Sequence, residues 1–183
     1  ERGVAFESCT VDGSETAFVL YTSGSTGQPK GVMLSHDAAA TALTHWRGPV
    51  MALSESDRVL SALPPAHSFG IFGSILAPLS AGASIIFLER FSPDAAIGLI
   101  EQHAITVFPG VATMFQRILD DPGLTHAGFS SLRHAVSGAA PCSWELAEAW
   151  QIVTGARIIR GYGMTELFRP ISFSAEDPQD EPG

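Results

Sequence analysis

The sequence is poor in charge and has almost no lysine. Only 16% of the 183 residues are charged, and the ten basic residues are nine arginines and one lysine, Lys30. Nineteen acidic residues bring the formal net charge to −9. Because nucleic acids are bound largely through positive charge and counterion release, this balance argues against a nucleic-acid partner. An anionic ligand would have to be held by local donors.

Cysteine and long apolar runs are scarce as well. Cys9 and Cys142 lie far apart, with no CxxC pattern or Cys/His cluster around them, so neither a disulfide framework nor a zinc site is predicted. No stretch approaches the roughly 18 apolar residues that span a bilayer, and the chain does not open on a signal-peptide pattern. We expect no transmembrane segment and a cytoplasmic location.

Short apolar runs alternate with helix-length amphipathic stretches, which is typical of βαβ units. About six strands joined by crossover helices are expected to form an α/β fold with a mostly parallel, doubly wound sheet. Ser92 is the predicted N-cap of one helix, with Pro93 at its first position. Strands are predicted at 16–22, 31–36, 58–63, 84–88, 105–108, 132–137 and 156–160, and helices at 37–50, 71–79, 92–103, 111–119 and around 144–150.

Ligands of such sheets bind beyond the carboxyl ends of the strands, which draws attention to loops at 22–30, 64–70 and 161–166. The first, TSGSTGQPKG, combines glycines, hydroxyls and the one lysine. Glycines let the backbone fold into a nest of N–H donors around an anion, and a lysine adds a point charge, so this loop predicts a polyphosphate site. A flexible Gly/Ser connection would explain the glycines but not the lysine. The P-loop pattern GxxxxGK[ST] is not met, because Lys30 stands three residues after Gly27 and precedes Gly31.

The stretch YTSGSTGQPKGVMLSH, residues 21–36, resembles the phosphate-loop motif of the adenylate-forming (AMP-binding) superfamily. PPAHSFG (64–70), SGAAP (137–141) and GYGMTE (161–166) resemble further motifs of that family, in the family's order. The resemblance covers residues 21–166 and is closest to the acyl-CoA synthetase, or fatty-acid–CoA ligase, type. It implies the fold of the large N-terminal domain of those enzymes. It also implies ATP-dependent activation of a carboxylic acid to an acyl-adenylate, followed by transfer of the acyl group to CoA.

The resemblance implies roles for individual residues. Tyr162 would lie against adenine and Thr165 on the α-phosphate, while Glu166 and Thr26 would hold Mg²⁺. His67 would orient the carboxylate and gate the acyl site, so His67, Thr165 and Glu166 are the catalytic candidates. The ATP-binding set is Thr22, Ser23, Gly24, Ser25, Thr26, Gly27, Lys30, Gly138, Ala139, Ala140, Gly161, Tyr162, Gly163, Met164 and Thr165, and the acyl-site set is His67, Phe69, Gly70, Val111 and Ser137.

The residue types around His67 bear on the substrate. Amino-acid-activating members of the family usually carry an aromatic-Asp pair at this motif, and PPAHSFG has no Asp. The resemblance therefore favours a plain carboxylic acid, with a fatty acid expected, and CoA as the acceptor. Val111 and Met114 could line an apolar cleft. However, Val and Met residues at helical spacing lie in the core more often than in a ligand site. Arg169 could meet a second carboxylate or a phosphate, but it is expected at the surface, where arginine is more common.

A complete enzyme of this family also needs a second lysine, in its C-terminal domain, and Lys30 is already assigned to the phosphate loop. The resemblance thus implies that residues 1–171 are an internal fragment of the AMP-binding domain, followed by an acidic, proline-rich tail at 172–183. By itself such a fragment is expected to bind nucleotide weakly, to be inactive in adenylation and to self-associate through exposed sheet edges. The alternative is a non-catalytic nucleotide-binding or interaction module that retains the fold.

Overall fold

The computed structural model describes residues 9–24, 27–124 and 126–177. The first element is an antiparallel hairpin of β1 (Thr16–Thr22) and β2 (Lys30–Ser35). Five parallel strands then form the main sheet, in the spatial order β4-β3-β5-β6-β7. These are β3 (Arg58–Ser61), β4 (Ser84–Phe87), β5 (Val107–Gly110), β6 (His134–Ser137) and β7 (Arg157–Ile159). A second antiparallel pair follows, β8 (Gly161–Met164) with β9 (Phe168–Ser172).

Helices connect the strands, and three of them begin at a serine. The Oγ atoms of Ser35, Ser92 and Ser143 each accept a hydrogen bond from the backbone N–H three residues later, which satisfies a donor that the first helical turn leaves unpaired. The predicted cap at Ser92 is therefore confirmed. The helices are α1 (His36–His45) with a π-helical continuation (Trp46–Val50), a π-helical segment (Phe69–Leu76) leading into α2 (Ala77–Ser80), α3 (Pro93–His103), α4 (Ala112–Leu119), a 3₁₀ turn (His126–Phe129) and α5 (Trp144–Thr154).

The parallel sheet lies between two apolar layers, because alternate residues of a strand point to opposite faces. On β5, Val107 belongs to the cluster beneath α1 and Phe108 to the cluster beneath α3, α4 and α5. Both residues are fully buried, which explains why such strands appear in the sequence as continuous apolar runs. The same alternation holds for the pairs Val59 and Leu60, Val136 and Ala135, and Ile159 and Ile158.

The structure confirms the α/β class and the mostly parallel sheet, and it corrects two details. The strands predicted at 16–22 and 31–36 do pair, but they form a separate hairpin rather than part of the parallel sheet. The prediction of a loop at 161–166 is wrong for its first four residues, since Gly161–Met164 is strand β8. Its partner β9 lies beyond the motif, and pairing between segments cannot be seen in a local glycine-rich pattern.

Residues after β9 still contact the fold. The N–H of Phe173 donates to the carbonyl of Arg160 at 3.0 Å, and the N–H of Ala175 donates to that of Pro49 at 2.9 Å. The division into residues 1–171 and 172–183 stays a prediction. None of the helices in the described part of the chain has the length and apolarity needed to cross a membrane.

An ion pair between the buried Asp57 and the partly exposed Arg133 joins the amino ends of three central strands. Asp57, which precedes β3, is 2% exposed. Its Oδ1 accepts hydrogen bonds from Thr106 Oγ1 at 2.6 Å and Arg133 Nη2 at 2.8 Å, and these residues precede β5 and β6. Its Oδ2 accepts from the N–H of Ser54 at 2.8 Å. Burial raises the pKa of the Asp57 carboxyl, but the hydrogen bonds from Thr106, Arg133 and Ser54 outweigh it and leave the pKa below its usual value.

Asp57→Asn is expected to lower the free energy of unfolding by about 2 kcal/mol at neutral pH, because an amide cannot form the ion pair with Arg133. A depressed folded-state pKa means that the carboxylate stabilises the fold above the unfolded-state pKa of about 3.9. This stabilisation is lost as the pH falls through the folded-state value. Urea unfolding at neutral and acidic pH should therefore show a deficit that shrinks in acid. Asp120→Asn, which changes an exposed carboxylate, is the control and should have little effect at either pH. A deficit independent of pH would contradict this account.

Candidate nucleotide and acyl site

Three strands of the parallel sheet lead, at their carboxyl ends, into the segments that resemble the family motifs. β3 is followed by residues 62–69, β6 by 138–141 and β7 by β8. Since the carboxyl ends of parallel strands meet at one edge of the sheet, these segments come together there. They line three adjoining cavities, and Ala139 lines all three. Its backbone is left-handed, with φ 63°, and its side chain is a single methyl group, which leaves room at the junction.

The first cavity, of about 150 Å³, is named the aromatic cavity because one tryptophan and three phenylalanines line it. Trp46, Phe69 and Phe72 are nearly buried, while Phe168 is half-buried. Polar groups come from His67, Ser68 and the half-buried Thr165. Seven of the predicted site residues line this cavity: His67, Phe69, Gly138, Ala139, Gly163, Met164 and Thr165.

The second cavity, of about 390 Å³, is named the Tyr162 cavity. Tyr162 is 59% exposed, so one face of its ring is available to a ligand. Of the predicted site residues, this cavity brings together Ser137, Ala139, Ala140, Gly161, Tyr162 and Gly163.

Arg160 and Cys142 also line the Tyr162 cavity. The guanidinium of Arg160 lies 5.1 Å from the centroid of the Trp144 ring and 5.5 Å from that of Phe173, which holds Arg160 in a cation–π stack. Burial raises the pKa of the Cys142 thiol, although a hydrogen bond with Ser137 and the charge of Arg160 act in the opposite direction. The thiol is therefore neutral at neutral pH and is not an activated nucleophile.

The third cavity, of about 190 Å³, is named the Val111 cavity. Four of the five predicted acyl-site residues line it, namely His67, Phe69, Gly70 and Val111, whereas Ser137 lines the Tyr162 cavity instead. A tight turn positions His67, because its N–H donates to the carbonyl of Pro64 at 3.1 Å. Gly70 is required beside this turn, since a Cβ there would lie 2.0 Å from the same carbonyl oxygen.

The glycine-rich loop lies at the tip of the hairpin. Thr22 and Lys30 pair across its base, and Ser23 and Lys30 are exposed. Gly24 and Gly27 are left-handed, with φ 63° and 80°, and the N–H of Gly27 donates to the carbonyl of Gly24 at 3.2 Å. Left-handed glycines of this kind occur in the backbone nests that bind anions. Ser25 and Thr26 lie outside the described residues.

The described residues of the loop do not line these three cavities, but the hairpin packs directly behind one of them. The ring of Phe18 on β1 lies 4.9 Å from that of Phe72, and Phe72 lies 4.6 Å from Phe168. Both contacts are edge-to-face, a favourable geometry for aromatic pairs. The position of the hairpin is therefore coupled to the wall of the aromatic cavity.

Glu166, the predicted magnesium ligand, is exposed in the turn between β8 and β9. The described residues contain no group of three or more His, Cys, Asp and Glu side chains that could hold a metal ion. One carboxylate still suits Mg²⁺, because this ion commonly takes one or two protein carboxylates and completes its shell with phosphate oxygens and water. The donor set therefore fits Mg²⁺ that arrives with a polyphosphate.

Sequence reasoning missed several residues of these cavities. Trp46 and Phe72 lie in the segments predicted as helices at 37–50 and 71–79, and both are buried in the core as well as lining the aromatic cavity. Phe168 follows GYGMTE directly, and no local pattern marks it as part of a cavity. The other missed residues are Ser68, Leu63, Pro64, Pro141, Cys142, Arg160 and Phe173. Arg169, expected at the surface, has a side chain outside the described part of the chain.

Comparison with known proteins identifies the family. The family profile of the AMP-binding enzyme matches residues 4–183. A 3-[(3aS,4S,7aS)-7a-methyl-1,5-dioxo-octahydro-1H-inden-4-yl]propanoyl:CoA ligase of Mycobacterium tuberculosis is 38% identical over 164 residues, covering 89% of this chain and 32% of the relative. 4-Coumarate–CoA ligase 5 of Oryza sativa is 36% identical, covering 90% of this chain and 31% of the relative. The crystal structure of ATP-bound MatB from Rhodopseudomonas palustris superposes with a TM-score of 0.88 at 34% identity, covering 96% of this chain and 34% of that one.

The chain therefore belongs to the AMP-binding enzyme family. Its fold is that of the N-terminal domain of AMP-forming CoA ligases. The chain spans about a third of the length of the curated relatives it matches.

Proposed function

We propose that this chain is the nucleotide-handling part of an ATP-dependent carboxylic acid–CoA ligase. The main observation behind the proposal is that three motif segments come together at Ala139. As a result, His67 and Thr165 line the aromatic cavity and Tyr162 lines the adjoining Tyr162 cavity. Such an arrangement can hold a nucleotide and an acid side by side. Positioning two anionic reactants together is the main requirement for activating a carboxylate with ATP.

The Tyr162 cavity suits the base of the nucleotide. The exposed ring of Tyr162 offers a stacking surface, and the small residues Ala139, Ala140 and Gly161 leave space opposite it. Aromatic stacking on a nucleobase contributes about 1–3 kcal/mol. The α-phosphate would then point toward Thr165, whose hydroxyl is half-buried in the neighbouring cavity.

The hairpin loop suits the tail phosphates. Gly24 and Gly27 supply the nest geometry, Thr22 and Ser23 supply hydroxyl groups and Lys30 supplies an exposed charge. The proposed ATP contacts also include Ser25 and Thr26. Glu166, with Thr26, would hold Mg²⁺ on the phosphates, and the ion would neutralise charge that develops on phosphoryl oxygens.

The carboxylate would lie in the aromatic cavity beside His67 and Thr165, with its organic part against the apolar walls. In this orientation a carboxylate oxygen attacks the α-phosphorus, pyrophosphate leaves and an acyl-adenylate forms. The thiol of CoA then attacks the acyl carbonyl carbon, and AMP leaves. His67 lines both the aromatic and the Val111 cavities, so it would orient the carboxylate between them. A fatty acid as the substrate stays a prediction.

Carboxylate-dependent exchange of pyrophosphate into ATP by the complete gene product tests this function. We expect exchange that requires a carboxylic acid, and formation of an acyl thioester when CoA is added. Nucleotide binding without any exchange, over a broad panel of acids, would instead indicate the non-catalytic module. The 183-residue chain assayed alone should exchange far more slowly than the complete gene product.

The base site has its own prediction. Tyr162→Ala should weaken binding of AMP, ADP and ATP by the chain to a similar extent, about tenfold, because each loses the same stacking contact. Titration followed by NMR can measure this in the weak-binding range. Tyr162→Phe is the matched control, which keeps the ring and should bind almost normally. An alanine variant that binds AMP as well as the wild type would place the base elsewhere.

A further inference from the structure

The aromatic cavity is closed on one side by a residue in an unusual conformation. Phe168 has φ 54°, in the left-handed region where a bulky side chain is a real outlier. Residues held in such conformations are concentrated at functional sites. The backbone at this position would suit glycine, yet the sequence carries a large ring that lines the cavity.

The ring of Phe168 separates the cavity from apolar space behind it. Phe168 packs against two clusters of buried residues, one beneath α1 and one beneath the hairpin. Its edge-to-face contact with Phe72, at 4.6 Å between centroids, fixes the ring against a residue that is only 1% exposed. Removing the ring would therefore extend the cavity toward the apolar side chains beneath the hairpin.

With the ring of Phe168 in place, the volume of the aromatic cavity is small. At about 150 Å³, the aromatic cavity matches an apolar protein cavity that accepts one benzene molecule. Trp46, Phe69, Phe72 and Phe168 give it ring walls, and aromatic rings pack well edge-to-face against other rings. A long alkyl tail would exceed the volume of this cavity taken by itself.

We infer that Phe168 determines substrate specificity by limiting the acyl site to a carboxylic acid whose organic part is about the size of one aromatic ring. The inference rests on the proposed function and refines it. Benzoate and its small ring-substituted derivatives are the substrate class that the walls and volume fit. Such acids contrast with the fatty acid that the resemblance favours.

The test is the substrate profile of the complete gene product with benzoate and a series of straight-chain acids up to dodecanoate, measured as carboxylate-dependent pyrophosphate exchange. For the wild type we expect kcat/KM to be at least tenfold higher with benzoate than with dodecanoate. Phe168→Gly suits the left-handed backbone, and we expect it to shift this ratio about tenfold or more toward dodecanoate. Phe168→Leu, which keeps part of the volume, should give an intermediate shift if the glycine variant is unstable.

Leu167→Gly is the matched control, because Leu167 lies in the same turn, is 59% exposed and does not line the cavity. Its profile should equal that of the wild type. A wild type that uses dodecanoate as well as benzoate, or a Phe168→Gly profile that is unchanged, would overturn the inference and leave the proposed function intact. Absence of exchange with every acid, in the wild type as well, would overturn the proposed function and the inference with it.

Discussion

Gly24→Ala is expected to reduce the affinity for ATP at least thirtyfold, or about 2 kcal/mol, while affinity for AMP stays within about twofold of the wild type. A Cβ at this position would lie 2.2 Å from the carbonyl oxygen of Gln28, on a backbone with φ 63°. The opposing atom belongs to the backbone, so the loop itself must move. In the proposed site only the tail phosphates of ATP contact the loop, and AMP lacks the β- and γ-phosphates.

Gly27→Ala is the matched control for this variant. Gly27 is also left-handed, with φ 80°, but among the described residues, its chain neighbours aside, no atom lies within 4 Å of the position of its Cβ. Both variants carry the cost of placing alanine in a left-handed conformation, about 1–2 kcal/mol, and only Gly24→Ala adds the clash. The dependence of pyrophosphate exchange on ATP concentration in the complete gene product measures the difference. Equal losses in both variants would mean that the close approach at Gly24 has no role in phosphate binding.

Gly70→Ala is expected to lower the free energy of unfolding by about 3 kcal/mol, through overpacking against a backbone that cannot easily move. The added methyl group would lie 2.0 Å from the carbonyl oxygen of Pro64. The same oxygen accepts the hydrogen bond from the N–H of His67. The variant should therefore unfold at a lower temperature, by about 6–12 °C for a chain of this size, and also displace His67.

Gly98→Ala serves as the control for helix propensity and side-chain size. Gly98 lies within α3, and outside the adjacent backbone of that helix no atom of the described residues lies within 4 Å of its Cβ position. Alanine there should therefore stabilise the fold by about 0.5–1 kcal/mol. Thermal unfolding of the two variants beside the wild type provides the comparison. Stability of Gly70→Ala equal to that of the wild type, with unchanged NMR signals for His67, would contradict the account of this turn.

The elements that sequence alone predicts well are those determined by local signals. The central strands are apolar on both faces and bounded by turns, and Ser92 precedes a proline and an acidic first turn, so both patterns lie within a few residues. The motif residues His67, Thr165 and Tyr162 could be placed near the sheet edge because parallel strands end there. The structure brings them to adjoining cavities.

The features that sequence did not predict depend on contacts between distant segments. Asp57 and Arg133 are 76 positions apart in the sequence. Nothing in the sequence around either residue indicates that the two form an ion pair. The aromatic cavity joins Trp46, Phe72 and Phe168 from three separate segments, each of which has an ordinary apolar role when considered alone. The left-handed backbone at Phe168 is also unpredictable from residue type, since a bulky side chain is rare there.

The central claim is that one nucleotide spans the Tyr162 cavity and the glycine-rich loop. Its most direct test is a set of amide and aromatic NMR spectra of the chain, recorded with adenosine, AMP, pyrophosphate and ATP in the presence of Mg²⁺. We predict that adenosine, AMP and ATP shift the signals of Gly161, Tyr162 and Gly163, whereas only pyrophosphate and ATP shift those of Gly24, Gly27 and Lys30. ATP that perturbs the Tyr162 cavity but leaves the loop signals unchanged would contradict the account.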